Sequence, residues 1–356
     1  MTLEDLGYHL KMDLFRTECT RAGWEMARVT AEHKERYTIL TVKGEFEAEI
    51  TGNLRFTARN REDFPAVGDW VAVATFDPDF AIIHQIMPRY SVLKRQAAGH
   101  SGDIQIIAAN IDVAFLVQAA DRDFNLNRLE RYLTLCYSAK VSPVVVLTKT
   151  DLAEGPVIAA MLSSIKQRTG GIPAIAVSNQ TRDGYDTLYE LMEQGKTYCM
   201  LGSSGVGKST LLNNLSGRDI MKTDAISQST HKGRHVASHR ELVLLGNGSI
   251  LIDNPGMREV GLADEEGGLE TAFNKIVSLS HNCRYTDCTH TTEAGCSVIE
   301  AVEQGELDAG AWENFLKMER EKAHYESTVA ERRKRDRIFG KILKDYKKKN
   351  PKQGER

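Results

Sequence analysis

Gly202-Ser203-Ser204-Gly205-Val206-Gly207-Lys208-Ser209-Thr210 is a complete phosphate-binding loop, and Thr148-Lys149-Thr150-Asp151, which has the form of a guanine reader, lies upstream of it. In an uninterrupted domain of this kind the phosphate loop comes first and the base motif last. The reversed order points to a GTP-binding α/β domain whose chain has been cut and rejoined at a new place.

Each residue type in the loop has a reason. Gly202 and Gly207 allow backbone torsions closed to other residues, so that successive N–H groups can face the β-phosphate oxygens. Lys208 supplies charge to the β- and γ-phosphates, and Ser209 offers a hydroxyl to Mg²⁺. The helix that follows presents its N-terminal dipole to the same anion. Apolar Tyr198 to Leu201 before the loop and Leu211-Leu212 after it give the strand–loop–helix context that a chance Gly/Ser turn lacks.

Asp253-Asn254-Pro255-Gly256 follows a buried-strand pattern. A carboxylate there can hold Mg²⁺ through water, and the Gly256 N–H can reach the γ-phosphate. Guanine offers two adjacent N–H donors, which one carboxylate accepts together. Asp151 is placed for that task just past Val144 to Leu147, with Lys149 covering the base. Ser178, at the end of Ala174 to Val177, is the expected second support of the base. Lys222-Thr223-Asp224 competes as a base motif but lies too close to the phosphate-loop helix, with no buried strand feeding it.

A second constellation is Cys283, Cys288, His290 and Cys296, spaced Cys-x4-Cys-x-His-x5-Cys. Three thiolates and an imidazole suit a closed, tetrahedral, structural Zn²⁺ site. His281 is the competing nitrogen ligand, outside the loop spacing. Such a small unit is expected to have little core of its own, so that metal binding supplies much of its folding energy. The other cysteines, Cys19, Cys136 and Cys199, are scattered singly and read as small buried apolar residues.

Around these motifs the chain divides by texture. Residues 1–22 suggest a short helical segment. Over 23–98, short alternating strands (Ala27 to Thr30, Tyr37 to Val42, Phe46 to Ile50, Trp70 to Ala74, Ala81 to Ile83) predict a small closed barrel of the OB type, a fold that commonly binds oligonucleotides. Over 104–265, apolar strands such as Ile111 to Val117 and Ile172 to Val177 alternate with helical periodicity, as in a doubly wound α/β domain. Residues 266–356 hold the cysteine cluster and a charged, helical C-terminus.

The 356 residues carry a net charge of −3, unevenly spread. From Arg332 to Arg356 there are 12 Lys/Arg against 3 Asp/Glu, so the tail is +9 and the remainder −12. A basic tail interleaved with Phe339 and Tyr346 reads either as an RNA-facing helix or as a solvated terminal one. No apolar run approaches the roughly 18 residues of a membrane span, and Met1 to Asp5 lacks the basic head of a secretory signal, so the expected compartment is the cytoplasm.

Base motif, phosphate loop, Asp-x-Pro-Gly and cysteine cluster, in that order, resemble the circularly permuted ribosome small-subunit-dependent GTPase A (RsgA) family over nearly the whole chain. The resemblance implies an N-terminal OB-like β-barrel, a circularly permuted P-loop GTPase domain, and a C-terminal helical domain with one structural zinc at Cys283, Cys288, His290 and Cys296. It implies a GTPase, using Mg²⁺ with GTP, that assists late maturation of the small ribosomal subunit, binds its rRNA and leaves on hydrolysis. A monomer without membrane attachment is expected.

There are two departures. Where the family's Gly-Arg-His switch stretch is followed by threonines, this chain has Gly233-Arg234-His235-Val236-Ala237-Ser238, so a Mg²⁺ hydroxyl comes from Ser238, from Thr230, or is absent. The base motif opens on Thr148 where many GTPases have Asn. The position that holds a water-orienting glutamine in Ras-type enzymes is Met257, whose thioether cannot orient water. His235 is the candidate catalytic substitute, and a loop histidine facing RNA or solvent is the alternative. Two rival functions share these motifs: an ATP-dependent enzyme such as a kinase, and an RNA-binding adaptor with a vestigial nucleotide site.

Overall fold

The computed structural model describes residues 1–9, 12–33, 36–96, 104–217, 241–253 and 267–323. A turn of 3-10 helix at Glu4–Leu6 and helix α1 (Asp13–Ala22) lead into five strands, β1 (Glu25–His33), β2 (Arg36–Thr41), β3 (Gly44–Ile50), β4 (Trp70–Asp77) and β5 (Phe80–Ile86). Their order is β1-β2-β3-β5-β4, and β4 returns to β1 through pairs such as Met26↔Ala72. β3 and β5 are parallel while the other pairs are antiparallel. This closed five-stranded arrangement fits an OB-fold. Alternation along the strands turns Ala27, Val29, Ile39, Phe46, Val71, Val73 and Ile83 into one apolar barrel core. The short helix α2 (Gly52–Thr57) links β3 to the turn before β4.

A two-stranded hairpin, β6 (Val92–Gln96) with β7 (Ile104–Ala109), follows the barrel. The α/β part then consists of β8 (Val113–Ala119), α3 (Leu126–Ser138), β9 (Ser142–Thr148), α4 (Gly155–Arg168), β10 (Ala174–Ala176), α5 (Tyr185–Glu190), β11 (Thr197–Leu201), α6 (Lys208–Ser216), β12 (Glu241–Leu244) and β13 (Ile250–Asp253). Strand order is β10-β9-β8-β11-β13-β12, parallel except for β12. The strands are buried on both faces, by separate cores around Leu116, Leu133 and Ile252 and around Phe115, Met200 and Leu251. Among the described residues one strand pair, Ala31↔Glu241, joins this sheet to the barrel.

Two strands differ from the sequence expectation. β8 begins at Val113 rather than Ile111, because Asn110 takes a left-handed turn (φ 56°) and turns the chain before Ile111. β10 keeps only Ala174–Ala176 of the expected run, because Gly170 and Gly171 turn with positive φ just ahead of Pro173.

Past the sheet come α7 (Gly268–Ala272), α8 (Asn274–Ser280), α9 (Ser297–Glu303) and a helix over 309–323. This C-terminal lobe has more apolar core than its cysteine spacing suggests. Leu269, Phe273, Ile276, Val298, Phe315 and Met318 are all buried in one cluster beside the cysteines. Among the described residues, no helix is long and apolar enough to cross a membrane.

Candidate functional site

The parallel strands β9, β8, β11 and β13 end along one edge of the sheet, where α/β folds bind ligands. β11 delivers the phosphate loop there. Gly202 passes so close to β8 that a Cβ would lie 2.5 Å from the Val117 carbonyl oxygen, and at Gly207 (φ 95°) one would lie 2.7 Å from Asn179 Nδ2. Neither position has room for a side chain. Ser204 and Gly205 form the exposed tip, and Val206 is buried beneath it. Gly207 is the N-cap of α6, so Lys208, Ser209 and Thr210 make the first turn of that helix.

Lys208 lies along its own loop, Nζ donating to Gly202 O at 2.7 Å and Ser203 O at 2.6 Å. Burial pushes its ammonium down to about 8, with the carboxylate of Asp253 opposing that shift. A cation held this dry is stabilised by an incoming phosphate more than a solvated one would be. Asp253 is the buried last residue of β13.

The base motif is tied to the phosphate loop directly. Thr148, fully buried at the end of β9, has its hydroxyl 2.5 Å from Val206 O and 3.1 Å from Gln118 O. Its single proton can serve one acceptor at a time, and the shorter contact favours the loop. Lys149 adopts a left-handed backbone (φ 58°) and pairs with Asp121 at 2.9 Å, which aligns its stem. Thr150 and Asp151 begin a 3-10 turn, Thr150–Leu152.

Asp151 is exposed, and its Oδ1 accepts the Ser178 hydroxyl at 2.6 Å. Ser178 Oγ in turn accepts from the N–H groups of Gln180 and Thr181, so its proton is committed to Asp151. The neighbouring Asn179 donates from Nδ2 to Gly207 O at 3.0 Å. Two consecutive residues therefore touch the Asp151 carboxylate and the phosphate loop. Tyr185 donates to Asn179 Oδ1 at 2.8 Å and Asn214 donates to Asn179 O at 3.0 Å, which locks that bridge.

Asn179 is absent from the sequence expectation, although it directly follows Ser178 and carries the amide that Thr148 lacks. Arg128 on α3, whose Nη1 donates to Ser203 Oγ at 2.6 Å, is also absent from it, because nothing local marks a helical arginine as facing a loop 75 residues away. Gly256, His235, Ser238, Thr230, Met257, the rejected Lys222-Thr223-Asp224 and the tail from Arg332 lie outside the described residues.

In the C-terminal lobe, Cys283, Cys288, His290 and Cys296 bring their ligand atoms within 4.8 Å of one another. His290 turns left-handed (φ 58°), and Trp312 Nε1 anchors its carbonyl at 2.9 Å. Cys283 Sγ lies 3.8 Å from Cys296 Sγ, and His290 Nδ1 lies 3.6 Å and 3.4 Å from those sulfurs. A tetrahedron with bonds of about 2.3 Å to sulfur and about 2.0 Å to nitrogen spaces its corners about 3.5–3.8 Å apart. The donor set fits a zinc-sized ion and is too open for a disulfide of about 2.05 Å. His281, the competing nitrogen, caps α8 outside this group.

Two solved structures share the fold: YjeQ from Thermotoga maritima (TM-score 0.62, 23% identity, covering 83% of this chain and 97% of that one) and YloQ, described as a circularly permuted GTPase (TM-score 0.60, 24% identity, covering 85% and 96%). Fold and motif order together define a circularly permuted P-loop GTPase, a GTP-hydrolysing enzyme. A family model described as RsgA GTPase matches residues 86–263. The small ribosomal subunit biogenesis GTPase RsgA 2 of Listeria monocytogenes is 39% identical over 358 residues (99% of this chain, 100% of that protein), and RsgA of Opitutus terrae is 40% identical over 309 residues (84% and 83%). The chain belongs to the RsgA GTPase family.

Proposed function

We propose that this GTPase assists late maturation of the small ribosomal subunit, binding its rRNA while loaded with GTP and leaving when GTP is hydrolysed. The observation that supports this is the joined site: Ser178 on Asp151 and Asn179 on Gly207 link the carboxylate proposed to read guanine to the phosphate loop despite their reversed order. The relatives at 39–40% identity are named for small-subunit biogenesis, which supplies the partner. In this reading Thr148 to Asp151 and Ser178 hold the base, Gly202 to Thr210 hold the phosphates, and Ser209, Asp253 and Gly256 serve Mg²⁺ and the γ-phosphate. The protein works as a cytoplasmic monomer, with barrel, GTPase domain and C-terminal domain divided as the sequence suggests.

The barrel supports an RNA partner. Phe56 on α2 is 91% exposed, and Arg55, Arg59 and Arg61 are exposed around it. The backbone of the segment is capped: Thr51 caps α2, and Asn60 with Asp63 forms a capping box. An exposed aromatic ring among guanidinium groups suits an unstacked base and its phosphates.

Multiple-turnover GTP hydrolysis, measured with and without purified small subunits, tests the proposal. Subunits are expected to raise kcat at least about tenfold, a barrier change of roughly 1.4 kcal/mol, and ATP is expected not to compete. Competition by ATP would favour the kinase-like rival, and absence of turnover the adaptor. In the same assay His235→Ala is expected to lower stimulated turnover, and an unchanged rate removes His235 from the chemistry.

We further propose that the cysteine cluster holds one structural Zn²⁺. One equivalent of zinc is expected in the purified protein, and Cys296→Ser is expected to lose it and to expose the lobe to protease. Metal-free protein with an equally protected lobe would contradict the assignment.

A further inference from the structure

Helix α3 carries polar side chains that the nucleotide chemistry above does not use, and they face two ways. Asn127, Glu130, Arg131, Thr134 and Ser138 recur at helical spacing along one face, toward the C-terminal lobe. Arg128 and Tyr132, one turn apart, share the neighbouring face, toward the phosphate loop.

The first face is locked. Asn314 Nδ2 donates to Glu130 Oε2 at 2.6 Å and to Asn127 O at 3.2 Å, and Arg131 forms a two-pronged pair with Glu321 at 2.7 and 3.0 Å. Arg168 of α4 holds Glu130 at 2.6 Å and reaches Asp308 at 2.9 Å. Glu130 and Asn314 are buried, so sliding the helices would strand a dry carboxylate. Gly268 completes the lock, since a Cβ there would collide with Thr134 O and Ser138. α3 and the lobe therefore move as one body.

The second face meets the nucleotide site at one residue. Arg128 donates to Ser203 Oγ at 2.6 Å, and Tyr132 shares a hydrogen bond with the same hydroxyl. The Ser203 carbonyl is also where Lys208 Nζ rests, at 2.6 Å. Lys208 spends two of its three N–H donors on the loop carbonyls and keeps one for a phosphate, so Ser203 is tethered on one side by a group that a nucleotide would engage and on the other by α3.

We propose that Arg128 is a positioning residue through which the phosphate loop and the C-terminal lobe are coupled: nucleotide in the loop sets the lobe, and a partner on the lobe sets the loop. Coupling between two sites is reciprocal in free energy, so either direction reports it. The inference rests on the GTP site proposed above.

Hydrogen exchange of helix 309–323 in the full chain, with and without a saturating non-hydrolysable GTP analogue and Mg²⁺, reads the coupling. In the wild-type protein the analogue is expected to slow exchange in that helix about fivefold or more. Arg128→Ala, with bound analogue verified, is expected to lose this protection, and Arg128→Lys to recover part of it, because an ammonium can still donate to the Ser203 hydroxyl. Ser203→Ala replaces Arg128→Ala if that variant does not fold. Equal protection in Arg128→Ala and wild type overturns the relay, as does wild-type protein that binds the analogue without protecting the helix. Wild-type protein that binds no GTP analogue would instead overturn the functional proposal on which the relay stands.

Discussion

Asp151→Asn is expected to turn a guanine nucleotide site into a xanthine nucleotide site. Guanine presents N1–H and the 2-amino group side by side, both donors, and a carboxylate accepts both. The carboxylate here is already oriented: Ser178 gives its only hydroxyl proton to Asp151 Oδ1 at 2.6 Å, which leaves Oδ2 and one Oδ1 lone pair toward the base. An amide in the same place keeps one acceptor and brings one donor, so a guanine donor would face an N–H. Xanthine has a carbonyl where guanine has the amino group and matches the amide. Adenine fits neither residue, since its N1 is an acceptor and it has no 2-amino group. Sites built around such a pair reject a ligand lacking its partner by about 10⁴-fold, and a GTP affinity loss of about that size is expected. XTP should gain what GTP loses. Equilibrium competition of GTP, XTP and ATP against a labelled nucleotide measures it. A variant that still prefers GTP would place the base elsewhere.

What made this site legible was contiguity. The phosphate loop, the base motif and the cysteine cluster are each short runs whose chemistry depends on neighbours in sequence, so residue type and spacing suffice. Reach across the fold was not legible. Asn179 bonds Gly207 and Arg128 bonds Ser203 because the sheet order β9-β8-β11 sets distant segments side by side, and periodicity carries no record of that order. The lobe core escaped for a related reason. α7, α8 and α9 span 5, 7 and 7 residues, too few turns for an apolar stripe to repeat, so Leu269, Ile276 and Val298 are recognisable as core only once packed.

Arg28 shows the same limit most sharply. In the alternating run Ala27 to Thr30 it falls on the face opposite Ala27 and Val29, which in a free-standing barrel would be wet. Here that face is covered, and Arg28 is 0% exposed. Its guanidinium donates to Gly68 O at 3.3 Å, to Asn110 O at 3.0 Å, to Thr197 Oγ1 at 2.8 Å and to Leu6 O, and it lies 5.5 Å from the Trp70 ring. One side chain thus ties the N-terminal turn, the barrel, the entry to β8 and the first residue of β11, the strand that delivers the phosphate loop. Gly7 (φ 83°) leaves room for it, as a Cβ there would strike Nη1.

Arg28→Met is therefore expected to destabilise the protein. Two effects compete. Replacing a buried charge with a hydrophobe of similar shape can be neutral or favourable when both partners are replaced, because desolvation is relieved. Here three of the four acceptors are backbone carbonyls, which remain after the substitution. Gly68 O still accepts from Asn110 Nδ2 at 3.1 Å and Asn110 O from the Tyr90 hydroxyl at 2.8 Å, so Leu6 O is the carbonyl that loses the donor described for it. A dry, unpaired acceptor costs about 1–3 kcal/mol, and a net destabilisation of about that size is expected. Arg28→Lys, with one ammonium in place of a fork, should fall between the two. Chemical denaturation followed by tryptophan fluorescence measures the change, since Trp70 lies against the missing group. The Met variant is also expected to unfold in two steps, the barrel parting from the α/β sheet, because among the described residues a single strand pair, Ala31↔Glu241, joins them. A single transition within about 0.5 kcal/mol of wild type would mean that the other contacts, among them the Ala109 N–H to Val67 O at 3.0 Å and Asn110 Nδ2 to Gly68 O at 3.1 Å, and not this arginine, hold the barrel to the GTPase sheet.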